Sequence, residues 1–433
     1  MYSLTAHVDH SSGLTLLERG QEFDSRGVQH CTQGCSFTLE LHLRVSSTHC
    51  VAGAVGRGVL LPMPSDWAKF LPGQQLWAVY ATAGDERVAN FKKLLLGFMI
   101  GLLAWTYQSI CPPPPKKLGS LNGPPITSPR IKLRDGRHLS YKEFGVPKEM
   151  AKYKVIFVHG FDSFKHHNVI ATSASPALIQ DLGIYIVSFD RPGYGESDPD
   201  PNRTLKSSAL DIEELADQLE LGSKFYVVGF SMGGQIIWTC LKYIPHRLAG
   251  AALIAPAVNY WWPRLPTQLS KEAYSRQYLQ DQWCLSVAHY LPWLTYWWNT
   301  QKLFPSSSVI SRSPEIFSRQ DLELVPKFVT PKSIEDQIRH QGEYESIHRD
   351  LNIGFGKWEF DPTEIENPFP NNEGSVHIWQ GDEDILVPEI LQRYIAQQLP
   401  WIKYHELKGA GHMFPFAEGI SDAILKALLL GKS

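Results

Sequence analysis

The strongest chemical signal in the sequence is a serine placed between two glycines. Residues 229–234 read Gly-Phe-Ser-Met-Gly-Gly, so Gly229 lies two positions before Ser231 and Gly233 lies two positions after it. An apolar run typical of a strand precedes the motif, and a run typical of a helix follows it. On a sharp strand-to-helix turn, a serine hydroxyl projects at the carboxyl edge of a sheet, where ligands bind. We therefore predict that Ser231 is a nucleophile and that the glycines let the chain pass close to it.

A serine hydroxyl is a weak nucleophile, so it needs a base and a group that orients the base. His412 is the predicted base, because it follows Gly-Ala-Gly after the last apolar run. The predicted orienting acid is Asp384, which lies in Gly-Asp-Glu-Asp-Ile-Leu-Val-Pro at 381–388. The spacing G-x-x-D-x-x-V-P favours Asp384, and Asp382 is the alternative. Such an acid would hold the imidazole tautomer and stabilise the imidazolium.

Backbone N–H groups must also stabilise the oxyanion of a tetrahedral intermediate. One is expected from Met232, directly after the nucleophile, and the other from the loop after the apolar run Lys154–Val158. That loop reads His-Gly-Phe, and we predict Phe161 as the donor, because the glycine before it lets the backbone approach the substrate. His159 is interpreted as a structural residue that borders the pocket.

The elements that must position these residues are short apolar runs separated by helix-length segments. This alternation predicts an α/β fold whose mostly parallel sheet is covered on both faces. Asp135-Gly136 predicts a hairpin turn between the first two runs. The eight predicted strands are Ile131–Leu133, His138–Phe144, Lys154–Val158, Ile184–Phe189, Phe225–Val228, Ala251–Ile254, Val376–Trp379 and Ile402–Leu407.

One gap between strands is far too long for a crossover or a structureless loop. We predict that residues 257–375 form a helical lid inserted after strand 6, and that residues 131–256 and 376–433 form the core. Seven of the 13 tryptophans fall in this gap, and they could line the pocket, pack the lid or touch a membrane interface. Trp261 and Trp262 are the pocket candidates, since they directly follow the sheet. The other five are Trp283, Trp293, Trp297, Trp298 and Trp358.

Residues 1–90 form an N-terminal extension without a sustained helical or strand period, and a poorly ordered segment is one interpretation. The extension contains histidines and cysteines that could bind zinc. Because the usual C-x2-C spacing is missing, unpaired cysteines are favoured over a metal site. The residues concerned are His30, Cys31, Cys35, His49 and Cys50.

Residues 91–111 contain the apolar run LLLGFMIGLLAW, with Lys92-Lys93 before it and Lys116-Lys117 after it. Its length is near the lower limit for a membrane span, and an amphipathic or buried helix is the alternative. We predict a single-pass anchor in an endomembrane, with a cytoplasmic protein as the other possibility. Lysines on both sides leave the orientation open. Residues 112–130, rich in Pro, Gly and Ser, are predicted to be a semi-rigid linker.

Composition restricts the class of partner. The formal net charge is -3, and no clustered basic run indicates binding to nucleic acid. A membrane is one predicted partner, and the other, a small apolar ester, is implied by the family resemblance described next. The oligomeric state is left open.

From about residue 131 to the C-terminus, the sequence resembles the α/β-hydrolase superfamily in its AB hydrolase-1 branch. The resemblance is carried in order by VHGF, FDRPGYGESD, GFSMGG, GDEDILVP and GAGHMFPF. GFSMGG with an aromatic residue after HG is similar to bacterial aryl esterases and cofactor-free haloperoxidases. The anchor region resembles a group of plant membrane-anchored α/β-hydrolases, although about 90 extra residues precede the anchor here. The resemblance implies ester hydrolysis through an acyl-enzyme on Ser231, with no metal and no organic cofactor.

Other activities share the same three residue types. Amidase, thioesterase and acyltransferase chemistry remain open, because they differ from an esterase in the pocket rather than in the triad. Epoxide hydrolases and dehalogenases of this fold are disfavoured, since they need an aspartate where Ser231 stands. A second class is a non-enzymatic receptor or binding protein for a small molecule on the same fold.

Overall fold

A computed structural model describes residues 8–9, 13–14, 73–328 and 332–431. Of the N-terminal extension it describes an antiparallel pairing of Val8–Asp9 with Gly13–Leu14 and the helix that begins at Gly73. The zinc candidates between His30 and Cys50 lie outside the described residues. The chain divides into two units, residues 1–101 and residues 102–433.

The second unit is built on one eight-stranded sheet with the strand order β8-β7-β6-β5-β3-β4-β2-β1. Strand β2 pairs antiparallel with β1 and β4, and the other pairings in this sheet are parallel. This arrangement confirms the predicted eight-stranded, mostly parallel sheet. The strands are β1 Arg130–Lys132, β2 His138–Gly145, β3 Tyr153–Val158, β4 Ile184–Phe189, β5 Phe225–Phe230, β6 Leu248–Ile254, β7 Val376–Gly381 and β8 Ile402–Leu407.

The central strands are largely apolar because helices cover both faces of the sheet. In β3, Ile156 and Val158 pack into the core on one face, while Val155 and Phe157 pack into the core on the other face. The predicted hairpin turn is present, and Gly136 adopts a φ of 93° in it. Only glycine takes this left-handed conformation without strain.

Helices connect the strands and fill the long gap between β6 and β7. Those that connect strands or end the chain are α2 Val169–Ser173, α3 Pro176–Leu182, α4 Leu205–Gln218, α5 Met232–Tyr243, α12 Glu389–Gln398 and α13 Ile420–Leu430. The inserted segment, residues 257–375, contains α6 Thr267–Ser275, α7 Leu279–Tyr290, α8 Thr295–Thr300, α9 Arg319–Phe328, α10 Lys332–Glu335 and α11 Arg349–Gly354. A π-helical turn, Tyr344–His348, directly precedes α11.

The N-terminal helix α1 spans Gly73–Ile110, so it begins well before the apolar run that marks it in the sequence. Its part Val88–Ile110 is 23 residues long, has a mean hydropathy of 1.4, and has none of its residues buried in the structure. A membrane span needs about 20 mostly apolar residues, so this stretch is long and apolar enough to cross a bilayer.

The Pro-rich residues 112–130 contain no helix and pack against the rest of the second unit at several points. Leu118 is buried, and the backbone N–H of Lys116 donates to the carbonyl of Gln341 at 2.7 Å. The backbone N–H groups of Thr127 and Ser128 both donate to the carboxylate of Glu196 at 2.9 Å. These bonds fix the path of the segment as it enters β1.

A buried charge network joins the inserted segment to the loop after β4. Asp350 in α11 accepts hydrogen bonds from Arg191 at 2.8 Å, from Arg203 at 2.6 Å and from the Tyr194 hydroxyl at 2.7 Å. All four side chains are buried. Burial alone would raise the pKa of Asp350, but the two guanidinium groups outweigh it and lower the pKa. The carboxylate therefore stays ionised and holds two almost fully buried cations.

We expect the substitution Asp350→Ala to lower the free energy of unfolding by about 3–5 kcal/mol, because it leaves Arg191 and Arg203 buried without an anion. Chemical denaturation measures this loss. The control is Glu364→Ala, which breaks the solvent-exposed ion pair with Arg264 and is expected to cost about 1 kcal/mol or less. Equal losses in the two variants would contradict the assignment.

Candidate active site

Ser231 lies at the sharp turn between β5 and α5, as the G-x-S-x-G motif predicts. Its φ of 55° and ψ of -119° form a strained conformation for a residue with a side chain. Hydrogen bonds on both sides of the peptide hold it there. The Ser231 N–H donates to the Ile254 carbonyl at 2.8 Å, and its carbonyl accepts from the N–H groups of Gly234 at 2.8 Å and Ala257 at 3.1 Å.

The two glycines of the motif are required by close backbone contacts. A Cβ on Gly229 would lie 2.4 Å from the carbonyl oxygen of Gly233 and 2.5 Å from the side chain of Ile237. A Cβ on Gly233 would lie 2.2 Å from the carbonyl oxygen of Val158, at the end of β3. All three distances are shorter than van der Waals contact, so α5 can approach the sheet only with glycine at these positions.

The loop after β3 passes directly beside Ser231. A Cβ on Gly160 would lie 3.2 Å from the Cβ of Ser231, so this loop and the strand-to-helix turn are in contact. Phe161 and Met232 line the same cavity as Ser231. Within the described residues, the N–H groups of Phe161 and Met232 donate no hydrogen bond. Both N–H groups are thus free to bind a developing oxyanion.

Asp384 and His412 come together at the ends of β7 and β8. Asp384 Oδ2 lies 2.7 Å from His412 Nδ1, and both side chains are buried. The backbone N–H groups of Leu386 and Val387 donate to Asp384 Oδ1 at 2.9 Å, and they hold the carboxylate in place. Asp384 is therefore the carboxylate that faces the imidazole.

The alternative acid, Asp382, has a different contact. Its Oδ1 accepts a hydrogen bond from the backbone N–H of Gly409 at 2.7 Å. Asp382 thus supports the start of residues 409–413, the histidine loop, which contains His412. The intervening residue, Glu383, is exposed. The geometry thus favours Asp384 over Asp382 as the orienting acid.

His412 lies next to the serine turn. Its ring packs against the ring of Phe230, with 5.1 Å between the centroids. Within the described residues, the Ser231 hydroxyl makes no hydrogen bond to His412, and such catalytic bonds often tighten only when a substrate binds.

A second buried carboxylate, Asp321, holds the histidine loop from the inserted segment. Its two oxygens accept the backbone N–H groups of His412 at 3.0 Å and Met413 at 2.6 Å. The side-chain carbonyl of the neighbouring Gln320 accepts the N–H of Gly411 at 2.9 Å. A Cβ on Gly411 would lie 2.2 Å from the Asp321 carboxylate, so glycine is required for this close approach.

Asp321 was missed by sequence reasoning, although a local signal was present. Ser318-Arg-Gln-Asp321 has the S-x-x-D spacing of a capping box, and the structure contains that box at the start of α9. The Ser318 N–H donates to the Asp321 carboxylate at 3.0 Å, and the Asp321 N–H donates to the Ser318 hydroxyl oxygen at 3.2 Å. The spacing predicts the helix start, but not that the same carboxylate reaches a histidine loop about 90 residues away.

The charges around His412 favour its protonated form. Burial alone would lower the pKa of His412, but the carboxylates of Asp384 and Asp321 outweigh burial and raise the pKa above its usual value. An imidazolium formed by proton transfer from Ser231 would therefore be stabilised. The arrangement suits a base that must hold a proton briefly.

His159 has a structural role in the loop after β3. It is fully buried, its Nε2 accepts the N–H of Arg191 at 3.0 Å, and its Nδ1 lies 2.8 Å from the carbonyl oxygen of Gly160. Burial, and then the charge of Arg191, lower the pKa of His159 far below its usual value, so the ring stays neutral. The Arg191 guanidinium in turn donates to the carbonyls of His159 at 3.1 Å and Gly160 at 2.8 Å.

A cavity of about 690 Å³, part of it continuous with solvent, opens at Ser231. The sheet side of its lining includes Phe161, Ser231 and Met232, and the inserted segment contributes Gln277, Leu285 and Val309. Most of the lining is apolar, with a few polar side chains. Such a cavity suits a small, largely apolar ligand.

None of the three predicted pocket residues, His159, Trp261 and Trp262, belongs to the lining of this cavity. Trp261 stacks on His289 with 4.2 Å between the ring centroids, and its indole N–H donates to Tyr290. Trp262 is buried and packs edge-on against Trp358. Both indoles pack against aromatic neighbours, so adjacency to the sheet in the sequence was not enough to place them in the lining.

We expect Asp321→Asn to move the acidic limb of the pH profile of kcat/KM to lower pH. Removal of this negative charge lowers the pKa of His412, so the neutral imidazole persists in more acidic solution. The control is Gln320→Ala, which removes the neighbouring acceptor without changing charge and is expected to leave the limb in place. If Asp321→Asn lowers kcat but leaves the acidic limb of the pH profile in place, the role of Asp321 is purely structural.

The part of the chain that holds this geometry also matches known proteins. A model of the alpha/beta hydrolase family matches residues 155–422, a range that includes Ser231, Asp384 and His412. No curated protein matches the chain.

Solved structures with a similar fold include three enzymes. A thermophilic esterase from Thermogutta terrifontis shares 18% identity over 69% of this chain and 97% of that chain, with a TM-score of 0.44. An enol-lactonase from Burkholderia xenovorans shares 17% identity over 68% and 95%, with a TM-score of 0.46. A bromoperoxidase from Bacillus anthracis shares 16% identity over 69% and 95%, with a TM-score of 0.43. Because the family model spans more than half of the sequence and the sheet has the expected strands, the chain belongs to the alpha/beta hydrolase family.

Proposed function

We propose that this protein is a serine hydrolase that cleaves an apolar carboxylic ester through Ser231, His412 and Asp384. Family membership supports hydrolase activity in general. The observation that carries the finer proposal is the 2.7 Å contact between His412 Nδ1 and Asp384 beside the strained Ser231 turn. This contact leaves His412 Nε2 as the ring nitrogen available to the serine.

In the proposed reaction, the Ser231 hydroxyl attacks the carbonyl carbon of the ester while His412 Nε2 takes the hydroxyl proton. The carbonyl oxygen becomes an oxyanion and accepts hydrogen bonds from the N–H groups of Phe161 and Met232. Collapse of this intermediate breaks the bond to the alcohol oxygen, and His412 returns the proton to the leaving alcohol.

Water then hydrolyses the acyl-enzyme. His412 removes a proton from the water as it attacks the acyl carbonyl carbon, and the same N–H groups bind the second oxyanion. When the bond to Ser231 breaks, the serine oxygen regains its proton from His412 and the carboxylic acid leaves. Each group returns to its initial state, so the proposed cycle consumes only ester and water.

The cavity supports an apolar acyl or alcohol group. Ala257, Val258, Leu285 and Val309 contribute apolar surface beside Ser231, and all four belong to the inserted segment. Burial of such surface is worth roughly 25 cal/mol per Å² of apolar area. We propose that the inserted segment acts as the lid over this cavity.

We also propose that Val88–Ile110 anchors the protein in a membrane. The stretch is long enough to span a bilayer, and none of it is buried. The hydroxyls of Thr106 and Ser109 donate to the carbonyls of Leu102 and Trp105 at 2.8 Å. These bonds within the helix lower the cost of placing the hydroxyls in lipid.

Ser231→Ala is expected to abolish labelling by a fluorophosphonate probe and to reduce ester hydrolysis on the order of a millionfold. The assay uses p-nitrophenyl esters of graded chain length together with matched anilides, because the anilides separate an amidase from an esterase. Ser223→Ala, which changes an exposed serine just before the start of β5, is the control and should retain labelling. Wild-type protein that takes up no label would contradict the proposal, and it would favour a binding protein.

Full-length protein is expected to stay in the membrane fraction after alkaline extraction, because a spanning helix is released only when the bilayer is dissolved. A double variant, Leu96→Lys with Leu103→Lys, places two charges in the apolar stretch and is expected to be released. Leu121→Lys lies outside the stretch at a nearly fully exposed side chain and is the matched control. Release of the wild-type protein at high pH would contradict the anchor.

A further inference from the structure

Two polar side chains in the cavity take no part in the proposed hydrolysis. The first is Tyr260, which lies shortly after β6 and is only 8% exposed. Its ring stacks on Phe355 with 6.4 Å between the centroids and packs edge-on against Tyr274 at 5.3 Å. Apolar and aromatic neighbours therefore fix the position of the ring in the cavity lining.

The Tyr260 hydroxyl makes no hydrogen bond within the part of the chain that the structure describes. Its oxygen is not one of the fully buried polar atoms that lack a partner, so the hydroxyl is open to the cavity. A ligand that fills the cavity would displace water from this hydroxyl, and a hydroxyl left unpaired there would weaken binding. Burial, and then the nearby carboxylates of Asp384 and Asp281, raise the pKa of Tyr260, so the phenol keeps its proton. The side chain can both donate and accept a hydrogen bond. A ligand that enters the cavity can supply the missing partner.

The second side chain is Asp281, which projects from α7 and lines the same cavity. It is 6% exposed. Its carboxylate accepts the Ser307 hydroxyl at 2.7 Å, the Ser308 N–H at 2.9 Å and the Ser308 hydroxyl. Among the described residues, no lysine, arginine or histidine forms an ion pair with it. A carboxylate has about four acceptor sites, so Asp281 keeps one for a ligand and adds negative charge to the cavity.

We propose that Tyr260 and Asp281 form a polar subsite that binds a hydrogen-bond donor of the substrate, either a hydroxyl or an ammonium group. This inference rests on the proposed ester hydrolysis and specifies its substrate. The ester is apolar over most of its length and carries one donor group away from the scissile carbonyl. An ester that lacks the donor leaves the Tyr260 hydroxyl unpaired in the complex. A site built to form that hydrogen bond discriminates strongly against such an ester.

The experiment compares three esters of equal chain length that end in a methyl, a hydroxyl or an ammonium group. We expect the hydroxyl or the ammonium ester to have a kcat/KM about tenfold to a hundredfold above that of the methyl ester. Comparison of the hydroxyl ester with the ammonium ester distinguishes a subsite for a neutral donor from a subsite for a cation. Tyr260→Phe and Asp281→Asn are expected to reduce this preference. Leu285→Ala is the control, since Leu285 lies on α7 with Asp281 and lines the same cavity, and it should affect all three esters alike. No preference in the wild type would overturn the proposal.

Asp281→Asn also disturbs the bonds to Ser307 and Ser308, so Tyr260→Phe is the decisive variant. Because the hydroxyl has no protein partner, its removal should leave the unfolding midpoint unchanged or higher while the preference falls. A preference that survives Tyr260→Phe would remove Tyr260 from the subsite and overturn the proposal as stated.

A binding measurement separates failure of this subsite from failure of the proposed hydrolysis. In Ser231→Ala protein, a straight-chain alkanediol or the matching amino alcohol is expected to raise the unfolding midpoint more than the alkanol of the same length. Tyr260→Phe added to Ser231→Ala should abolish the difference. If no ester is cleaved but the diol or the amino alcohol still binds better, the subsite is supported and only the hydrolase proposal fails. Equal shifts for the diol, the matching amino alcohol and the alkanol would overturn the subsite.

Discussion

The close approach of three backbone segments at Ser231 is the constraint on which the rest of the site depends. Strand β5, helix α5 and the loop after β3 meet there at distances that leave no room for a Cβ at Gly229 or Gly233. This packing forces Ser231 into a left-handed conformation, which costs roughly 1–3 kcal/mol. The surrounding sheet must supply that energy. The serine position is thus set by backbone packing rather than by any bond of its hydroxyl.

The inserted segment reaches the site at two further points, both through buried carboxylates. Asp350 orients Arg191, whose guanidinium donates to carbonyls of the loop after β3. Asp321 binds the backbone of the histidine loop. Each carboxylate lies far along the chain from the residues that it holds. The segment between β6 and β7 therefore supports the position of the loop after β3 and of His412, besides lining the cavity.

Much of the fold could be predicted from the sequence, because dense apolar runs mark buried strands. Strands β4 and β8 have the predicted limits, whereas β6 begins at Leu248, before the predicted Ala251, because hydrogen bonds to its neighbours set strand ends. The roles of Ser231, Asp384 and His412 stay proposals, but local motifs were enough to identify a set that the fold brings to one sheet edge. Asp321 and Tyr260 could not be predicted in this way, since their importance comes from contacts between distant segments. Trp261 failed as a pocket residue because stacking on His289 outweighs its adjacency to the sheet.

The contact between α9 and the histidine loop restricts how this protein could be altered by recombination. Gly411 has no space for a side chain because the Asp321 carboxylate fills it, so the loop and the helix start are matched in shape as well as in charge. A foreign insertion grafted between β6 and β7 would have to bring its own acceptor for the N–H groups of His412 and Met413. Substrate range in this scaffold is therefore more readily changed by single replacements along α7 than by exchange of the whole insertion.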